Sequence, residues 1–307
     1  TCISKTFSPG YISGILALPN NNVVFLDSKR HFVCEINKKG AGSFIIGDNF
    51  DKEYHPNSIR GGDLDQATVY QPIGIAQKPS QHALNQFIIS DAQHRMLCYI
   101  DLYNWYSTVV TVQPTFFNDV TVRRTCIPGA ICYDHNGDLL ICDPRNNVIC
   151  KRTDNGVLSL FAGQLSLSDS NAASCAFTQL NAIACNPVTK DIYIADGKTI
   201  KYIRSGAVTV VHTRPKCEKI AALTFDEEGN LYFVARAEKL HRVGYRGHPE
   251  IQFKNGGVFK LHANSNAVVC VRTRPSFDQI STAHCSSGYL YVAGFIGETH
   301  NLYKIKV

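Results

Sequence analysis

The chain has 307 residues and a mass of 34.0 kDa, and its 44% hydrophobic and 18% charged content excludes a disordered tail or a coiled coil over its whole length. A formal charge of +6 at pH 7 is modest for such a chain and by itself predicts solubility rather than nucleic-acid binding. No apolar run approaches the roughly 20 residues of a membrane span, and the opening TCISKTFSPG has neither the charged nor the apolar region of a leader, so it reads as a processed protein or a domain cut from a longer chain.

In chain order the elements repeat. Residues 2–7 read as a strand, and ILALPNNNVVFLD (15–27) then reads as strand, polar turn, strand, followed by strands at 31–37 and 42–47. The same unit returns as IGIAQKPSQHALNQFIISD (73–91) with strands at 95–101 and 107–112, and as AICYDHNGDLLICD (130–143) with strands at 147–153 and 156–163. It returns again as AIACNPVTKDIYIAD (182–196) with 199–204 and 206–212, and as ALTFDEEGNLYFVA (222–235) with 238–243 and 267–273. The sixth unit, STAHCSSGYLYVAG (281–294), has only 301–307 after it. The second strands end about 53 residues apart on average, with Asp27, Asp91, Asp143 and Asp196 in four units and Ala235 and Gly294 in two.

Six four-stranded antiparallel units, with the N-terminal strand completing the last, predict an all-β fold: a single six-bladed β-propeller over residues 1–307, monomeric, with its edges protected by ring closure. Turn residues agree, as in His135-Asn136-Gly137 and Glu228-Gly229-Asn230 between strands one and two. Helical periodicity is absent throughout.

The unit Pro72-Ile73-Gly74-Ile75-Ala76, then Phe87-Ile88-Ile89-Ser90-Asp91, then His94-Arg95-Met96, resembles the NHL repeat, whose pattern is P-x-G-I-A, a turn, an apolar strand ending A-D, then N-x-R-I. Ala182 to Ala184 with Asp191 to Asp196, and Gly129 to Ile131 with Leu140 to Asp143, match it as well. The resemblance implies a propeller of this type over the whole chain, although blades five and six depart from it where Ala235 and Gly294 replace Asp.

The Asp series reads as structural, since Asp at a strand end accepts hydrogen bonds from loop amides. Zinc lyases of peptide amidation share the propeller and place His before the Gly of P-x-G-I-A, but the six equivalent positions here hold Ser13, Ile73, Gly129, Asn181, Ala221 and Ser281. The calcium-dependent lactonase relatives use acidic and amide groups in the central channel, where only Asn181 qualifies. No metal, no cofactor and no catalytic residue is therefore expected.

Twelve cysteines permit disulfides. Cys34, Cys98 and Cys150 occupy equivalent third-strand positions, too far apart to pair with one another, and read as buried thiols; Cys2 with Cys285, Cys126 with Cys132 and Cys175 with Cys185 stay open as bridges. The cysteine content slightly favours the secretory route over the cytoplasm, while the lack of any N-x-S/T sequon counts against it.

Loops between strands two and three share a face with the connections between blades. That face collects Arg123, Arg124, Arg214, Lys216, Lys219, Arg272 and Arg274, with Arg145, Lys198 and Arg236 nearby, and the acidic loop at 48–72 lies on the same face. The main expectation is a non-catalytic platform that binds a protein partner there, with Tyr54, Tyr70, Phe116, Phe117 and Phe277 as aromatic anchors. The alternative, implied by the resemblance to NHL proteins of the tripartite-motif type, is single-stranded RNA on the basic track. A weaker alternative is a lyase or hydrolase using the central channel.

Overall fold

The computed structural model describes residues 9–47, 60–79, 85–112, 126–163, 176–243, 249–265, 267–274 and 276–307. Blade one is β1 (Ile12–Ala17), β2 (Val23–Asp27), β3 (Phe32–Ile36) and β4 (Gly42–Ile46), each antiparallel to the next. Blade two adds a short outer strand, β5 (Gly62–Asp63), to β6 (Pro72–Ala76), β7 (Gln86–Asp91), β8 (Met96–Asp101) and β9 (Tyr106–Thr111). Blade three is β10 (Ile131–Tyr133), β11 (Leu139–Asp143), β12 (Val148–Arg152) and β13 (Leu158–Ala162); blade four is β14 (Leu180–Cys185), β15 (Ile192–Asp196), β16 (Thr199–Arg204) and β17 (Ala207–Thr213).

Blade five corrects the sequence reading. Its first two strands, β18 (Lys219–Phe225) and β19 (Leu231–Arg236), are followed by a separate hairpin of β20 (Glu238–Val243) and β21 (Pro249–Lys254). The blade resumes at β22 (Gly257–Leu261) and β23 (Val268–Val271). Residues 238–243 alternate like a third strand, but β19 pairs instead with β22, whose GVFKL has the buried face that fills the seam. Blade six comprises β24 (Gln279–Ser286), β25 (Tyr289–Ile296) and β26 (Thr299–Lys306); the expected closing strand at 2–7 lies outside the described residues.

The core is divided into six apolar clusters, one in each seam between neighbouring blades. Because each blade is covered on both faces, a middle strand such as VVFLD in β2 or LLICD in β11 is buried along its whole length rather than on alternate residues. The ring closes where Ile12, Phe25 and Phe32 of blade one pack on Tyr291, Ala293 and Leu302 of blade six. The ring of antiparallel blades is a six-bladed β-propeller.

Asp27, Asp91, Asp143 and Asp196 are all buried and act as the sequence suggested. Asp27 accepts the amides of Gly10 at 2.5 Å and Arg30 at 2.9 Å, and Asp196 accepts those of Thr178 at 2.8 Å and Gln179 at 2.6 Å. Asp27 and Asp91 thus tie the entry of their blades to the turn that leaves them, Asp91 through the amides of Tyr70 and His94, while Asp143 accepts from Arg145 and Asn146 in the turn and Asp196 holds the blade entry. Cys34, Cys98 and Cys150 are buried in three different seams, and all ten described cysteines are free thiols. Cys126 packs with Cys150 in the seam of blades two and three and is not bridged to Cys132.

Candidate active site

The innermost strands of all six blades surround a central channel. In β1, β14, β18 and β24 the register with the second strand slips by one residue, and the slip falls on Ser13, Asn181, Ala221 and Ser281. A bulge turns a side chain out of the ladder, and these four residues line one end of the channel together with Ile73 of blade two. Five of the six positions expected from the repeat thus come together, all but Gly129. Two of the polar groups are already engaged: Ser13 Oγ donates to the Pro72 carbonyl at 2.6 Å, and Ser281 Oγ to that of Ala293 at 3.2 Å.

The cavity at this mouth measures about 350 Å³. Its outer wall comes from residues two places before the bulge, Tyr11, Gln71 and Lys219, and from Arg236 at the end of β19. Lys219 Nζ donates to Asn181 Oδ1 at 3.3 Å, while Asn181 Nδ2 is buried with no partner among the described residues. Burial, reinforced by the Arg236 cation, lowers the Lys219 pKa below that of a free lysine. Burial likewise raises the Tyr11 phenol, against the pull of Arg236. Glu218 Oε2 lies 3.3 Å from Arg236 Nε and holds the guanidinium at the rim.

This donor set does not suit the cation of a lactonase or zinc lyase. The mouth presents a lysine amine, a guanidinium and an amide N–H, and among the described residues no three His, Cys, Asp or Glu side chains are placed to hold a metal ion. The groups fit an anion.

Beyond a waist lined by Ile75 and Ile131 the channel opens at its other end into a cavity of about 500 Å³ with a different lining, including Cys132, Cys185, Cys285 and His284. Burial lowers the His284 pKa to about 4 and raises that of the Cys285 thiol to about 12, so both are neutral near pH 7.

Of the basic residues singled out from the sequence, Arg145, Lys216, Arg272 and Arg274 are exposed, whereas Arg214 stacks its guanidinium 3.7 Å from the centre of the Phe259 ring. Tyr70 is half-buried, stacked on His31 at 4.2 Å, and Phe277 packs edge-on against Tyr303 at 5.3 Å, so both rings have partners within the fold. Tyr54, Phe116, Phe117, Arg123 and Arg124 lie outside the described residues. Lys219 and Arg236, read from sequence as loop charges, are the residues whose place in the channel that reading missed.

No protein-family model and no curated protein matches the chain by sequence. Solved structures do match by shape. A gluconolactonase from Xanthomonas campestris superposes with a TM-score of 0.66 at 11% identity, covering 98% of this chain and 87% of its own. Virginiamycin B lyase from Staphylococcus aureus, catalytically inactive and with quinupristin, gives 0.57 at 13%, over 96% and 80% of the two chains. A streptogramin B lyase gives 0.58 at 11%, over 99% and 97%. At such identities the likeness establishes the fold. The three propellers named here are a gluconolactonase and two lyases, a finding that corrects the main expectation of a non-catalytic platform towards the channel-based alternative.

Proposed function

We propose that the protein is a hydrolase that opens a small, negatively charged lactone at the Lys219 mouth of the channel. The observation that carries this reading is the desolvated Lys219, held beside Asn181 and repelled by Arg236 against the weaker pull of Glu218, so that its nitrogen gives up a proton more readily than a free lysine's and can act as a base. Lys219 Nζ takes a proton from water as the water oxygen attacks the lactone carbonyl. The unpartnered Asn181 Nδ2 donates to the carbonyl oxygen as it becomes an oxyanion. When the ring C–O bond breaks, the Lys219 ammonium returns the proton to the leaving oxygen, so that lactone and water yield a hydroxy acid. Arg236 pairs with the substrate's own anionic group, and the exposed Arg145, Lys216, Arg272 and Arg274 steer it in.

The finer family reading, an NHL-type repeat, is supported by the three motif matches in blades two to four and by the buried Asp that ends the second strand of blades one to four.

The test is acid release from a panel of carboxylated and neutral lactones. Lys219→Met is expected to abolish turnover, and Arg236→Met to raise KM for carboxylated lactones at least tenfold while leaving neutral ones little changed. Full activity of Lys219→Met, or no hydrolysis of any lactone, overturns the proposal. Formation of an unsaturated product would instead assign a lyase using the same base on a C–H bond.

A further inference from the structure

Away from the channel, the seam of blades two and three opens into a groove of about 580 Å³ on the face of the turns that join strands one to two and three to four. We propose that this groove binds a neutral oligosaccharide, at a site independent of the channel.

Three observations carry the inference. First, the exposed large aromatic residues among those described gather at one hairpin end, Tyr103 (83% exposed) and Trp105 (40%) in the turn after β8 and Tyr106 (48%) at the start of β9, and of the three Tyr106 lines the groove. The remaining exposed large apolar residues are scattered valines. Second, this turn is built against local preference. The corresponding turns of blades one, three and four place Gly40, Gly156 and Gly206 at positive φ, whereas blade two places Trp105 there at φ 52°. A bulky residue in that region is disfavoured relative to glycine. The indole is fixed by its Nε1–H donating to Asp65 Oδ1 at 2.9 Å. Third, the polar groups are preorganised and balanced in charge. Asp101 accepts from Gln86 Nε2 at 2.9 Å and Asn104 Nδ2 at 2.7 Å, while Arg152 Nη1 donates to the Tyr99 hydroxyl at 2.6 Å. Lys78 pairs with Asp154 across the mouth at 2.5 Å.

A sugar ring offers an apolar C–H face to an aromatic ring and hydroxyls, each donor and acceptor, to planar polar side chains. Tyr99, Tyr106 and Tyr133 supply the rings, and Asp101, Asn104 and Arg152 the planar polar edges. The lining holds two cations and two carboxylates, Lys78, Arg152, Asp101 and Asp154, so a nucleic acid gains nothing from the field there. The volume lies within the roughly 300–1,000 Å³ of small-ligand clefts.

Trp105 is the chain's single tryptophan, so its fluorescence reports directly on the turn. Cellotriose, chitotriose and maltotriose, titrated separately, are expected to include at least one that changes the emission saturably and shows saturation transfer by NMR. Tyr106→Ala, and independently Asn104→Ala, should weaken that binding about tenfold in protein of unchanged circular dichroism, whereas Lys219→Met should bind as the parent does. No emission change or saturation transfer at millimolar concentrations overturns the proposal. So does a response only to a single-stranded RNA or an aromatic peptide.

Discussion

Lys219 sits where two effects push in one direction: burial and the neighbouring Arg236 both disfavour its charged form. A base must be neutral, so the rate of lactone opening should rise with pH through an apparent pKa below the usual lysine value of about 10.4. Arg236→Met removes the repulsion and should move that rise to higher pH, read from kcat/KM against pH on a neutral lactone. The position of Asn181 in the channel was legible from the repeat, because it precedes the strand at the same place as Ser13 and Ser281. Lys219 was legible by the same logic but hidden by its type: Tyr11, Gln71 and Lys219 occupy one repeat position and share no chemistry, so no motif marks them.

At the scale of elements, blades two and three are stapled by Ser90. Its Oγ accepts the Gly74 amide at 2.8 Å and donates to the Gly129 carbonyl at 2.6 Å, all within the buried seam. A Cβ on Gly74 would stand 2.6 Å from that carbonyl, so the approach depends on glycine. Ser90→Ala leaves a buried donor and acceptor unmet and should lower unfolding stability by about 1–3 kcal/mol, measured by urea titration. The strand boundaries of blades one to four were readable because apolar runs and turn residues agree there. Blade five was not, because the run at 238–243 carries the alternation of a strand and only its partner tells whether it belongs to the blade. Pairing is a long-range property, and two adjacent runs of similar pattern do not reveal which one the seam selects.

For the molecule as a whole, the seam between blades six and one decides closure, and a histidine sits in it. His300 is 2% exposed, and its Nδ1 accepts the Ile12 amide at 3.4 Å, which requires that nitrogen to be unprotonated. Burial lowers its pKa to about 4 from an ordinary value near 6.5. Between those values the unfolded chain binds the proton and the folded chain does not, so stability is complete above pH 6.5 and declines as pH falls towards 4. The loss amounts to roughly 3 kcal/mol, and His300→Gln should flatten the dependence of Tm on pH across that window. The exposed arginines and lysine around the Lys219 mouth act at the same scale. Raising ionic strength from about 0.01 to 0.5 M should reduce kcat/KM for a carboxylated lactone about tenfold and leave a neutral one nearly unaffected.

The two ends of the channel differ in one further respect. One carries the Arg236 guanidinium beside Lys219, and the other, beyond Ile75 and Ile131, is lined by thiols and an uncharged imidazole, with Asp134 and Lys190 of opposite sign among them. The axis of the ring therefore has a direction. An anion held at the first end meets the apolar side chains of Ile75 and Ile131 before it meets any charge at the far end, so substrate and product share the door by which the substrate entered, and a product more acidic than its precursor must leave against the attraction that brought the precursor in.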